Sequence, residues 1–208
     1  MRVGAKLGVL YGSVVLVALI GVASFGATIH VPGDYATIQE AVDAAVEGDT
    51  ILVATGTYDG FFLDTKIGIT LQAEPGAVIT GTVLINDCTD VTLDGFQISS
   101  EESDGIVARG CNTNLTIRRC MLVDCHGDGI VLATPGSSCW TLGVVIEECT
   151  ISGNEGNGIT IQGRTEFVIK DNTISENGVN GIAVGAEAKG TIRDNKIYGN
   201  GFAGIHPS

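Results

Sequence analysis

The dipeptide Gly-Ile returns at Gly105, Gly129, Gly158, Gly181 and Gly204, at intervals of 24, 29, 23 and 23 residues. A period in this range means stacked copies of one small unit rather than a single globular core. Aliphatic residues keep the same intervals at Leu93, Ile117, Ile146, Ile169 and Ile192, and again five residues later at Ile98, Leu122, Ile151, Ile174 and Ile197. Three positions past the first set stand Phe96, Cys120, Cys149, Asn172 and Asn195; three past the second stand Glu101, Cys125, Asn154, Asn177 and Asn200. One side-chain type at one place in every unit makes a ladder, because asparagines stacked at the strand spacing hydrogen-bond one another. Asparagine also tolerates left-handed backbone, which puts the bends at these positions. Cysteine is small and apolar enough to share the slot.

Between the ladders, runs of three to five residues alternate aliphatic and polar, as in Thr191, Ile192, Arg193 and in Asn195, Lys196, Ile197. A period of two makes short strands, so a unit reads as strand, corner, strand, corner, Gly-Ile strand, return. A leucine-rich repeat has a similar period, and Gly190 to Ile197 partly meets its spacing. Against it, Ile and Val dominate over Leu, a second Asn follows five residues after the first, and the return carries Gly and Thr in place of a helical pattern.

The phrases VIKDNTISENGVNGIAV (Val168 to Val184) and TIRDNKIYGNGFAGI (Thr191 to Ile205) resemble the repeat of the right-handed parallel β-helix, pectin-lyase-like superfamily. VPGDYATIQEAVDAAVEGDTILVATGTY (Val31 to Tyr58) resembles the N-terminal cap and first rung of the same group. Together they cover nearly everything after residue 30. The resemblance implies an all-β, right-handed, single-stranded parallel β-helix of about seven rungs, with repeats over roughly 50–208. It says little of activity, since the superfamily includes lyases, hydrolases, esterases and epimerases.

Thirty glycines with only 5% aromatics suit a coil of tight corners, and 208 residues at 44% hydrophobic content sustain one continuous core. Arg2 and Lys6 precede an apolar run from Leu7 to Phe25, and the small residues Ser24 and Gly26 offer cleavage before Ala27. Residues 1–26 thus read as a secretory signal. The run also approaches the roughly 20 residues that cross a bilayer, so a membrane anchor through residues 7–25 is the alternative. Either places the domain, 27–208, outside the cytoplasm, secreted or at the cell surface. Without residues 1–26, nine basic residues face 24 acids, a formal charge of −15. This argues against nucleic acid as a partner, because phosphate binding needs a basic stripe.

A capping helix is expected over 37–47. Thr37 and Glu40 form a capping box, Ile38, Ala41, Val42 and Ala45 share one face, and Gly48 can end it. No second cap follows His206. The last rung is therefore expected to belong to a truncated chain, to fray, or to be a surface through which copies self-associate. Six cysteines in an exported chain admit disulfides. Cys120 with Cys149 and Cys88 with Cys111 fall at like offsets on neighbouring rungs, and a buried stack of thiols is the alternative. No cysteine and histidine set has zinc spacing, so no metal site of that kind is expected.

Three places could carry chemistry. Asp124, His126 and Asp128 put two carboxylates beside an imidazole, the types needed for acid and base work on a glycosidic bond or on a uronate C5 proton. Asp128, however, matches Asp104 and Asn157 by position, which makes it a turn residue first. The 29-residue interval inserts five or six residues around Thr134 to Trp140. Insertions in a solenoid emerge as loops, often on the binding face, and this one offers Trp140 to stack on a sugar ring and Ser137 and Ser138 to bond its hydroxyls. The alternative is a lid over thin core. Outward residues Asp94, Arg118, Glu147, Lys170 and Arg193 alternate in sign over the first four and can pair between rungs. Motifs like those of polygalacturonases, methylesterases and alginate epimerases are missing or fragmentary, as with Asn112-Thr113-Asn114 and His126-Gly127. Glu147, Glu148 and Asp171 beside Arg118 and Arg119 have the residue types of a calcium-assisted lyase. The resulting expectation is a carbohydrate-associated binding or scaffold module for a polysaccharide or cell-surface glycan. A lyase, hydrolase or epimerase is the first alternative and a structural surface protein the second, with no cofactor beyond the calcium option.

Overall fold

The computed structural model describes residues 26–134, 136 and 139–207. β1 (Thr28–Val31) and α1 (Ile38–Ala44) lead into the first full rung, β2 (Thr50–Val53), β3 (Gly56–Asp59) and β4 (Phe62–Asp64). Six further rungs repeat it, the last formed by Lys189–Arg193, Lys196–Tyr198 and Ile205–Pro207. Every strand pairs in parallel with its counterparts on the adjoining rungs, giving an eight-stranded first sheet that starts at β1 and second and third sheets of seven strands. This is the parallel β-helix of about seven rungs that the repeat implies. The returns hold strands and turns among the described residues, where a leucine-rich repeat would place helix.

The alternation read from the sequence fills the interior. Ile51, Leu71, Leu93, Ile117, Ile146 and Ile169 are in register along the first sheet, and Ile79, Ile98, Leu122, Ile151 and Ile174 along the second. All are fully buried, each worth about 1.5–3 kcal/mol of transfer from water.

The recurring glycine has a steric cause. A Cβ built on Gly158 would lie 2.6 Å from the carbonyl oxygen of Gly181, 2.6 Å from Ile174 Cγ2 and 2.9 Å from Asn177 Nδ2. Gly129 and Gly181 meet the same three kinds of atom, whereas Gly204, in the last rung, meets nothing nearer than 3.4 Å. The Gly-Ile strand therefore lies where one rung's backbone rests on the next.

The asparagine ladders form, with the bend one residue earlier than the sequence suggests. Left-handed φ belongs to Arg119, Glu148, Asp171 and Asp194, each just before a member of the first ladder, and to Asp124, Gly153, Glu176 and Gly199 before the second. The ladder residue itself turns inward: Asn154, Asn172 and Asn177 are at most 2% exposed. Asn177 Oδ1 accepts from the Asn154 backbone N–H at 3.2 Å and from its Nδ2 at 2.8 Å, and Asn177 Nδ2 donates to the Ile151 carbonyl at 3.2 Å. The second ladder starts at Ser100, not Glu101. The Ser100 carbonyl takes the His126 N–H at 2.8 Å, as that of Cys125 takes Glu155 at 2.9 Å, while Glu101 is exposed.

The capping helix is shorter than expected and ends at Ala44, with Ala45 rather than Gly48 as its C-cap. Asp49 draws the chain into the first rung by accepting the Val46 and Ala27 N–H groups at 2.9 and 2.7 Å. The Thr37–Glu40 capping box is present, and Ile38, Ala41, Val42 and Ala45 join the core at the N-terminal end. The leader of residues 1–25 lies outside the described residues.

Neither expected disulfide forms. Cys120 and Cys149 are free thiols that donate to the Arg118 and Glu147 carbonyls at 3.3 and 3.2 Å. In-register side chains on parallel strands run side by side, holding their Cβ atoms at about the 4.8 Å strand spacing, beyond the roughly 3.5–4.5 Å a disulfide needs. Cys88 fails differently. Its N–H donates to Asn112 Oδ1 at 2.9 Å, so its ladder partner is Asn112, and Cys111, one residue earlier, faces outward. Cys111 instead bonds Cys139, the sulfurs 2.08 Å apart.

Gly158→Ala is expected to cost about 1–3 kcal/mol through overpacking and Gly204→Ala under about 0.5 kcal/mol, as read from urea midpoints. Equal losses would remove the steric account. Burial pushes the Cys125 thiol up to about 11, and Cys149 is held well above the usual value by its hydrogen bond with the Cys120 thiol and by burial. Because all four free thiols are buried, a thiol-alkylating reagent at pH 8 should leave the folded chain unlabelled, modify those four after unfolding, and modify all six only after reduction.

Candidate functional site

Both sequence-derived clusters flank the third sheet. Along its outer face Phe62, Leu84, Val107, Val131, Thr160 and Ala183 are in register. Phe62 and Leu84 are exposed, but Val107 is 2% exposed although it belongs to no part of the interior cluster. The outer face of this sheet is thus apolar from Phe62 to Val131, with the corner before each strand on one side and the return after it on the other.

The side before the strands is acidic. Asp104, Asp128, Asn157 and Asn180 form a third ladder: Asp104 Oδ1 accepts the Asp128 N–H at 2.7 Å, Asp128 Oδ1 the Asn157 N–H at 2.6 Å, and Asn157 Oδ1 the Asn180 N–H at 3.0 Å. Asp128 Oδ2 also accepts the Thr160 hydroxyl at 2.5 Å. Both of its oxygens are thus committed to holding the turn. Asp124 is an exposed left-handed bend residue, equivalent to Gly153 and Glu176 on later rungs. His126 Nδ1 lies 3.0 Å from Glu155 Oε2 with both side chains largely exposed. The three residues are neighbours in sequence but serve a ladder, a bend and a surface pair. Beside them Thr80, Thr82, Ser99, Ser100, Glu101 and Glu102 line a notch of about 550 Å³.

The side after the strands is basic and aromatic. The insertion is pinned at its base by a buried hydroxyl set: Thr134 Oγ1 lies 3.1 Å from Thr141 Oγ1 and 3.2 Å from Thr165 Oγ1, and the Thr141 hydroxyl donates to the Gly110 carbonyl at 2.7 Å. Cys139 is tied to Cys111 on the preceding rung. Trp140, between these anchors, is half-buried and carries two cations, Lys189 Nζ at 5.2 Å and Arg164 Cζ at 5.9 Å from the ring centroid. Glu187, 3.8 Å from Arg164, completes a recess of about 380 Å³. Ser137 and Ser138 lie outside the described residues. Sequence reading missed Arg164, Lys189 and the Cys111–Cys139 bridge. Their only signal was a cysteine next to the tryptophan, inside the insertion and off every ladder.

The outward charges on the first sheet pair as their signs suggest. Arg118 and Arg119 both hold Asp94, which is almost fully buried beneath them, and Lys170 Nζ meets Glu147 Oε2 at 2.6 Å. Glu148 and Asp171 are left-handed corner residues, so the calcium-type set is divided between an ion pair and two bends. Among the described residues, no group of three His, Cys, Asp or Glu side chains is placed to hold a metal ion.

Residues 79–208 match the family model described as the right handed beta helix region. No curated protein sequence matches the chain. Three solved structures share its fold. The T265N T268M double mutant of the periplasmic alginate epimerase AlgG has a TM-score of 0.64 at 16% identity, over 88% of this chain and 43% of that one. Pectate lyase Pel9A has a TM-score of 0.58 at 15% identity, over 82% and 62%. The A-module of the Azotobacter vinelandii mannuronan C-5 epimerase AlgE4 has a TM-score of 0.50 at 18% identity, over 82% and 68%. The chain therefore spans less than two thirds of the length of the first two.

Asp128→Ala leaves the Asn157 backbone N–H and the Thr160 hydroxyl without their acceptor and is expected to cost about 1–3 kcal/mol. Asp128→Asn, the residue that later rungs use there, should restore most of it. Asp124→Gly should stay within about 0.5 kcal/mol of the parent. Thermal or urea unfolding checks all three.

Proposed function

The chain belongs to the right-handed β-helix family, and from that premise we propose that it is an exported or surface-held module that binds an acidic polysaccharide through Trp140, Arg164 and Lys189. The observation that carries this reading is the pair of cations around the one tryptophan, which is anchored beside the third sheet by Thr141 and the Cys111–Cys139 bridge. An indole offers a flat amphipathic face for a sugar ring, and guanidinium and ammonium groups fit a ring carboxylate. The fold-level relatives are named for alginate, pectate and mannuronan, all carboxylated polymers. The chain as a whole is strongly acidic, which repels such polymers elsewhere and confines attraction to this patch.

Catalysis is the second reading, and the His126–Glu155 pair is what favours it, since an exposed imidazole beside a carboxylate is a ready proton acceptor. Against it, Asp128 is held by the Asn157 backbone and the Thr160 hydroxyl, and the arginines and lysine of the first sheet are committed to ion pairs there, Arg118 and Arg119 with Asp94 and Lys170 with Glu147.

Titration with alginate and polygalacturonate oligomers tests the proposal. Trp140→Ala and Lys189→Ala should each weaken binding by about tenfold or more, and added salt should weaken it further. Tight binding that neither substitution alters, or release of unsaturated uronate from the polymer, would overturn it.

A further inference from the structure

Trp140 stands between two different kinds of anchor. On one side Thr141, 3% exposed, is bonded into the rung by hydroxyls; on the other, Cys139 is attached through its disulfide to Cys111. Cys111 is solvent-exposed, and its own N–H donates to Asp87 Oδ1 at 2.7 Å, which ties it to its rung whether or not it is bridged. The other four cysteines are buried, reduced and fixed in ladders or against carbonyls. Among the described residues, the cysteine redox chemistry open to solvent is therefore concentrated at the bond beside the indole.

We propose that the oxidation state of Cys111–Cys139 sets whether the Trp140 site is assembled, so that a dithiol reductant switches it off; this rests on the binding reading above. A thiolate of the reductant attacks one sulfur and the Cys111–Cys139 bond breaks. The mixed disulfide is then displaced by the second thiol, and both cysteines are left as protonated thiols. Two electrons pass from the reductant, which leaves as its own disulfide. Cys139 is then free of its rung, and the indole pivots on Thr141 alone, away from Lys189 and Arg164. The β-helix is untouched, because Thr134, Thr141 and Thr165 and the core aliphatics do not depend on the bridge. In an oxidising compartment the site is on.

The experiment uses the full chain, oxidised, dithiol-reduced, and as a Cys111→Ser/Cys139→Ser variant. Trp140 is the only tryptophan, so its emission reports the site with no ligand present. Reduction should shift the emission to the red, raise its quenching by iodide, and weaken binding of alginate or polygalacturonate oligomers by about tenfold, the equivalent of freeing one large side chain. The double variant should behave as the reduced form with or without reductant, and far-UV circular dichroism should be the same in all three. Emission unchanged on reduction overturns the proposal, whether or not any oligomer binds. If oxidised protein binds and reduction changes neither affinity nor emission, the switch fails and the binding reading stands. If emission shifts but no oligomer binds in either state, the binding reading fails, and with it the switch as a control on binding.

Discussion

The structure depends on how closely one rung's backbone can settle on the next. At Gly129, Gly158 and Gly181 the approach leaves no room for a Cβ, and the closeness brings the ladders within hydrogen-bonding range. Stacked strands repeat at about 4.8 Å, and within that spacing a ladder asparagine that follows another, such as Asn177, accepts two hydrogen bonds from the rung before it and returns one to its carbonyls, while one that follows a cysteine, such as Asn154 or Asn172, accepts one. Glycine, asparagine and the inward aliphatics are three expressions of one vertical fit. Loss of any one leaves a clash, an unpaired polar group or a void in a core too narrow to adjust.

That shared cause is why so much of the fold was legible. A steric need that recurs from rung to rung writes the same residue at the same interval, and Gly105, Gly129, Gly158 and Gly181 carry it openly. The bend was less legible. The left-handed position accepts Arg119, Glu148, Asp171 or Gly153, so no single residue type marks it, and the asparagine beside it drew the assignment. The disulfide was illegible for a related reason: cysteines at equal offsets suggest pairing, yet equal offsets in a parallel stack hold side chains apart. Cys111 and Cys139 meet because they lie outside the ladders, where the repeat imposes no register.

The site was legible in half. The break in the period pointed to Trp140, while its partners Arg164 and Lys189 follow ordinary rungs and become visible only when the coil brings them to the Trp140 ring. Asp124, His126 and Asp128 show the opposite case. Their clustering in sequence suggested chemistry, and the coil assigns them to a bend, a surface pair and a ladder. A solenoid spends its regular residues on stacking, so function is sought where regularity lapses.

A co-crystal structure of the disulfide-intact chain with an alginate or polygalacturonate oligomer tests this most directly. The account predicts a sugar ring on the Trp140 indole with its carboxylate between Arg164 and Lys189, and the saccharide chain running on over the outer face of the third sheet past Val131. A saccharide bound on the first-sheet face over Asp94 and Glu147, with the Trp140 recess empty, would contradict it.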